Sequence, residues 1–240
     1  ADEFEKAIEE INSGVYAFDA VKLVGAIGKL RNDNAQGELY LTDVIEILRN
    51  DGGKIAAVCI NDFTETLGVN DRVQLAEAEA LLRDRINEKL MRSGVTIVDP
   101  TTTWVGADVV IAQDVTLLPG TVIGGKTTIE TGAVIGPRSY LVDCTIAESA
   151  EVKETHATSA VIGAHASVGP FTYLRPGTNL AAHTRAGAFV EMKNASLGEG
   201  SKVPHLSYVG DATIGEGSNI GAATIFVNYD GVEKLSLIHI

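Results

Sequence analysis

Bulky aliphatic residues recur at every sixth position through the middle of the chain: Val105, Ile111, Leu117, Ile123, Ile129, Ile135 and Leu141. An α-helix repeats near 3.6 residues and a half-buried strand alternates every two, so neither accounts for this run. A period of six predicts a β-helix of hexapeptide repeats. Each hexapeptide makes one short flat face, three faces close a triangular coil, and the aliphatic residue points into the prism. The period shifts and continues at Ile146 and Val152, then is broken by what reads as an insertion over 153–160. It resumes at Ile162, Val168, Leu174 and Leu180, at Leu197, Val203 and Val209, and at Ile214, Ile220 and Phe226. Gly120, Gly132, Gly163, Gly215 and Asn219 fall near the expected corners, where Gly and Asn reach the required backbone angles cheaply.

Composition agrees with a narrow aliphatic interior. Hydrophobic residues make up 45% of the 240 positions but aromatic ones only 5%. A net charge of −13 argues against nucleic acid as a partner, while leaving room for a locally basic site that binds a small anion. Cys59 and Cys144 stand in no CxxC pattern, which argues against a zinc site or a disulfide framework. They read as reduced thiols of a cytoplasmic protein. No apolar run of about 18 residues is present, and no signal peptide opens the sequence, so no membrane association is expected.

Upstream of the repeats the pattern is mixed α/β. Phe4–Ile11 reads as a short charged helix or strand, Gly14–Phe18 as β-like, and Lys54–Ile60 as an apolar run of strand length. Ala20–Leu30 and Tyr40–Arg49 carry helical periodicity, the second with Thr42 and Asp43 as candidate caps. Val73–Leu90 is rich in strong helix formers and reads as a linking helix, with the repeats beginning near Val95.

Several strings, in this order, carry a resemblance. They are Ile11-Asn12-Ser13-Gly14, Asn34-Ala35-Gln36-Gly37-Glu38-Leu39-Tyr40-Leu41-Thr42-Asp43 and Gly68-Val69-Asn70-Asp71-Arg72 before the repeats. Within the repeats come Leu174-Arg175-Pro176-Gly177, Phe189-Val190-Glu191-Met192-Lys193, His205-Leu206-Ser207-Tyr208-Val209-Gly210-Asp211 and Val227-Asn228-Tyr229-Asp230-Gly231. From about residue 3 to residue 234 the chain resembles the bacterial bifunctional N-acetylglucosamine-1-phosphate uridyltransferase / glucosamine-1-phosphate N-acetyltransferase family. The resemblance implies an α/β remnant of a nucleotidyltransferase domain over 1–72 and a linker helix over 73–94. It implies a left-handed parallel β-helix acetyltransferase domain over 95–234, incomplete at its end. It also implies a cytoplasmic homotrimer with glucosamine 1-phosphate, acetyl-CoA and UTP as substrates, Mg²⁺ in the uridyltransferase domain, and UDP-N-acetylglucosamine for cell-wall synthesis as product.

Residue by residue, the resemblance makes His205 the base that takes the proton from the amine, a task suited to an imidazole at neutral pH. Arg175 and Lys193 become the sugar-phosphate ligands, a planar fork beside a point charge. Tyr208 and Asn219 match amino-sugar contacts, and Ala222, Asn228 and Tyr229 match acetyl-CoA contacts. Asn12 and Asn70 match UDP-N-acetylglucosamine ligands, Asn70 also being the metal ligand. The family's Gly-rich loop, catalytic Lys and main metal-binding Asp have no counterpart, so this chain alone is expected to lack uridylyl transfer. The later coils that complete the acetyl-CoA site are also missing, which leaves a catalytically incomplete trimeric scaffold as the alternative reading. Two further alternatives are a sugar-nucleotide pyrophosphorylase with a prism added for assembly, and a metal-dependent carbonic anhydrase using His156, His165 and His183. The last six residues, 235–240, can be encoded by a transposase end used in sequencing libraries, and are expected to be non-native.

Overall fold

A computed structural model describes residues 10–33, 37–229 and 231. Most of the Phe4–Ile11 segment, the string Asn34-Ala35-Gln36, Asp230 and the tail 235–240 lie outside the described residues. The chain divides into two compact units, one up to Ala78 and one from Glu79 onward.

In the first unit, α1 (Ala20–Ile27) is capped by Asp19, whose Oδ1 accepts from the backbone N–H groups of Val21 and Lys22 at 3.0 and 3.1 Å. Helix α2 (Asp43–Asn50) lies against it, and each buries one residue, Ala26 and Val44. Thr42 precedes α2 without a side-chain cap bond. The strand expectations here are not met. Gly14–Phe18 and Lys54–Ile60 form no ladder among the described residues, and Val15, Ile55, Val58 and Ile60 are exposed. A strand exists only through hydrogen bonds to a neighbour, and an apolar run does not itself supply one. Helix α3 (Arg72–Arg92) begins where Asp71 Oδ1 accepts from the Gln74 N–H at 2.8 Å.

In the second unit the later turns of α3 close one end of the prism. Leu90 is buried and Ile86 packs against the same core. Asn87 is also buried and donates through Nδ2 to the carbonyls of Pro100 and Thr103, each at 3.0 Å. Among the described residues, twenty-one short strands then build three parallel sheets of seven strands each. The first sheet runs from Thr96–Ile97 to Lys202–His205, the second from Trp104–Val105 to Tyr208–Gly210, and the third from Val110–Ile111 to Thr213–Ile214. Each strand pairs with the one a full coil away, as a β-helix requires. The inward residues form one continuous core from Leu90 to Ile214, with Ile220 and Phe226 partly buried at its far end.

The expected insertion over 153–160 is instead part of the coil. Thr155–Thr158 is a regular strand between Tyr140–Val142 and Thr172–Leu174, and Ala157 holds the inward place. Ala186 and Met192 likewise fill the gap between Leu180 and Leu197. A search for bulky branched aliphatics misses alanine and methionine, although both fill the interior.

The corner between the second and third sheets turns on residues with positive φ: Gly125, Asp143, Ser159, Gly177, Asn194 and Asp211. Asp and Asn tolerate this conformation because their short polar side chains can bond locally. Gly163, expected as a corner, has another role. Its φ is not positive, and a Cβ there would sit 2.6 Å from the Ala181 carbonyl carbon of the next coil.

Candidate active site

Side chains alternate along a strand, so the outward residues flanking each inward one form two columns on a sheet face. On the second sheet, Tyr140, His156, Tyr173, Glu191 and Tyr208 make one column by register. In the other, Arg175 follows Leu174, Lys193 follows its partner Met192, and Lys193 pairs with Gly210. Arg175 and Lys193 therefore stand on adjacent rungs, about 4.8 Å apart at the backbone.

The Arg175 guanidinium lies 6.0 Å from the Tyr173 ring centroid and donates to Glu191 Oε1 at 2.9 Å. That hydrogen bond holds its pKa above the ordinary arginine value. Lys193 has no ion-pair partner among the described residues. The Tyr208 phenol lies above Gly210: a Cβ at Gly210 would come within 2.6 Å of both Tyr208 Cζ and Asn228 Nδ2. Asn228 Nδ2 donates to Asp211 Oδ2 at 2.6 Å and reaches the Tyr208 hydroxyl at 3.3 Å. Asp211 Oδ1 accepts from Asn194 Nδ2 at 2.7 Å.

His205 ends the first-sheet strand Lys202–His205, paired with Ala188. Leu206, at φ 48°, then turns the chain onto the second sheet. His205 is exposed at this corner, at the edge of the second sheet opposite the corner that follows Arg175 and Lys193 in the chain. Asn219 bridges to Lys202 and so lies one coil further on the first sheet. The same sequence step from His205 leads to Ala222. Tyr229 is exposed and donates its hydroxyl hydrogen to the Gly231 carbonyl at 2.8 Å.

No protein-family model matches the chain. Among curated proteins, the bifunctional protein GlmU of Streptomyces avermitilis is 55% identical over 234 residues, covering 98% of this chain and 48% of its own length. GlmU of Mycolicibacterium vanbaalenii is 58% identical over 230 residues, covering 96% and 47%. Over its length, the chain belongs to the bifunctional GlmU family. It spans about half the length of these curated relatives. Among solved structures, a mutant GDP-perosamine N-acetyl transferase from Caulobacter crescentus, in complex with CoA and GDP-perosamine, is 17% identical. It has a TM-score of 0.39 and covers 59% of this chain and 61% of its own. A likeness that weak supports no conclusion about this site.

The GlmU-family residues expected from the sequence thus fall into three places. Arg175, Lys193 and Tyr208 lie on or beside successive strands of the second sheet, and Asn228, followed by Tyr229, meets Tyr208 from the coil beyond. His205 and Ala222 stand at its other edge, with Asn219 around the corner. Asn12 and Asn70 lie in the first unit, where each has a local role. Asn12 Oδ1 accepts from the Gly14 N–H at 3.0 Å, and its amide donates to the Tyr16 hydroxyl. The exposed Asn70 donates its backbone N–H to Gln74 Oε1 at 2.7 Å, at the start of α3.

Mg²⁺ requires oxygen ligands, usually including one or two carboxylates. No group of three or more His, Cys, Asp or Glu side chains converges among the described residues, and Asp71 beside Asn70 gives an oxygen to the helix cap. These residues do not fit a Mg²⁺ site, and no step is assigned to one. Within the chain the three histidines of the carbonic-anhydrase alternative do not converge. His165 and His183 stack at 5.0 Å, while His156 is held between Tyr140 and Tyr173 on the second sheet.

Four neighbours of the site escaped sequence reasoning: Glu191, Asn194, Gly210 and Asp211. Glu191, Gly210 and Asp211 fall within strings that carry the resemblance, and the two-residue offsets Glu191–Lys193 and Tyr208–Gly210 place each pair on one outward face. Asn194, Asp211 and Asn228 recur at the coil period, which is the sequence signal for their stacking.

Proposed function

We propose that the prism binds glucosamine 1-phosphate on its second sheet and transfers an acetyl group to it from acetyl-CoA. The observation that carries this reading is the adjacent-rung pair Arg175–Lys193, with Tyr208 beside it and His205 at the far edge of the same face. The phosphate sits between the guanidinium and the ammonium, and Arg175 exchanges its bond to Glu191 for one to the ligand. The sugar lies across the face against Tyr208, with Asn219 as a further contact, and its amine is directed toward His205. His205 takes the proton as the amine nitrogen attacks the thioester carbonyl. The carbon–sulfur bond then breaks and CoA leaves as the thiolate. Ala222, Asn228 and Tyr229 flank the acetyl-CoA path.

We further infer that the whole protein acts as a cytoplasmic homotrimer and, in a second, Mg²⁺-dependent reaction, joins N-acetylglucosamine 1-phosphate to uridine monophosphate from UTP, releasing pyrophosphate and forming UDP-N-acetylglucosamine. The relatives' printed name, bifunctional protein GlmU, supports a second activity in the whole protein.

Titration calorimetry tests the binding half directly. Glucosamine 1-phosphate should bind and glucosamine should not, and Lys193→Ala should abolish the difference. Equal binding of both sugars would refute a phosphate clamp.

A further inference from the structure

Tyr208 and Asn228 converge on Gly210, and the reason for that glycine is not conformational. Its φ is not positive, so an alanine backbone fits there without strain. What a methyl group would meet is the phenol of Tyr208 and the amide end of Asn228, at 2.6 Å to Cζ and 2.6 Å to Nδ2. Both are far ends of side chains, so the coil can keep its shape while these two groups move.

Asp211 is the second support. It lies at the left-handed corner, φ 49°, and is 7% exposed. Its two carboxylate oxygens accept separately from Asn194 Nδ2 below and Asn228 Nδ2 above, at 2.7 and 2.6 Å. Bonds from an amide to a carboxylate are charge-assisted and short, so this carboxylate fixes which way the Asn228 amide points. Asn228 in turn meets the Tyr208 hydroxyl at 3.3 Å.

We propose that Gly210 and Asp211 are positioning residues for the amino-sugar site: Gly210 leaves the space in which the Tyr208 phenol lies, and Asp211 orients Asn228 against it. The inference rests on the proposed acetyltransferase reading for its functional consequence, but not for its geometry.

The test uses the full chain labelled with 3-fluorotyrosine, with the Tyr208 ¹⁹F signal assigned by its loss in Tyr208→Phe. Gly210→Ala and Asp211→Asn are then compared with the parent by ¹⁹F NMR, by thermal melting, and by titration with glucosamine 1-phosphate. In Asp211→Asn one oxygen becomes an amide donor, so only one of the two asparagines keeps its acceptor. The expected result is a moved Tyr208 signal in both variants, unchanged melting for Gly210→Ala, and sugar-phosphate affinity weakened roughly tenfold, the equivalent of about 1.4 kcal/mol. An unmoved Tyr208 signal in both variants overturns the proposal, whatever the affinity. A moved signal in a protein whose parent form binds no sugar phosphate upholds the positioning and refutes the functional reading instead.

Discussion

Leu174 is the inward residue between Tyr173 and Arg175, and it is fully buried. Replacing it with Ala removes three carbons from the prism, about 0.8 kcal/mol each in transfer free energy, or about 2.4 kcal/mol in all. A cavity term adds to this. Its column neighbours are Ala157 on one side and Met192 on the other. Ala157 is too short to fill the gap, while Met192 is flexible enough to recover part of it. The loss should therefore be about 3 kcal/mol, toward the lower end of the range of roughly 2.7–5.0 kcal/mol seen in comparable substitutions. With a urea m-value of about 3 kcal/mol/M, the midpoint falls by about 1 M.

Urea titration at fixed protein concentration reads this in two ways. The single Trp, Trp104, reports the first coils, and far-UV circular dichroism reports all of them. Coincident curves justify a two-state treatment, whereas in a repeat array they can separate. Leu206→Ala serves as the control, since Leu206 is 60% exposed, and it should shift stability by less than about 0.5 kcal/mol. A loss below about 1 kcal/mol for Leu174→Ala at unchanged m would refute the inward placement of this column.

Three other outcomes are expected from the geometry. Burial pushes the Cys144 thiol pKa up while Cys59 is exposed, so one thiol should react with Ellman's reagent in the native protein and two in urea. Two reacting under native conditions would contradict the closed prism. Arg175→Lys keeps the charge but loses the fork, so sugar-phosphate affinity should drop about tenfold; unchanged affinity in calorimetry would remove Arg175 from the clamp. Hydrogen bonds from the Thr101 and Thr102 side chains hold the Asp99 pKa below its usual value. A depressed carboxylate stabilises the fold above its unfolded pKa, and that contribution is lost as pH falls through the folded value. Replacing both threonines with Val should raise the Asp99 pKa in an NMR titration, and no rise would deny the hydroxyl contribution.

The prism was legible because its core obeys a strict rule: one aliphatic side chain per face, repeated. The rule failed only where Ala157, Ala186 and Met192 took the inward place, because size, not polarity, had defined the search. The first unit was less legible. Ile55, Val58 and Ile60 carry strand propensity, but pairing is a tertiary property that propensity does not report. At the site, Arg175, Lys193, His205, Tyr208 and Asn228 came from the resemblance. The supporting ones did not, because Gly210 acts through an absent side chain and Asp211 through contacts a full coil away. Both roles become visible only once the coil register is known.

The proposed acetyl transfer to an amino-sugar phosphate turns on His205 as its base. Thiol release from acetyl-CoA, with and without glucosamine 1-phosphate, tests it most directly when the chain is compared with His205→Ala at matched folding. The account predicts release that requires the sugar phosphate and falls by roughly 10² to 10⁴-fold in the variant. Sugar-dependent release that is unchanged in His205→Ala would contradict it.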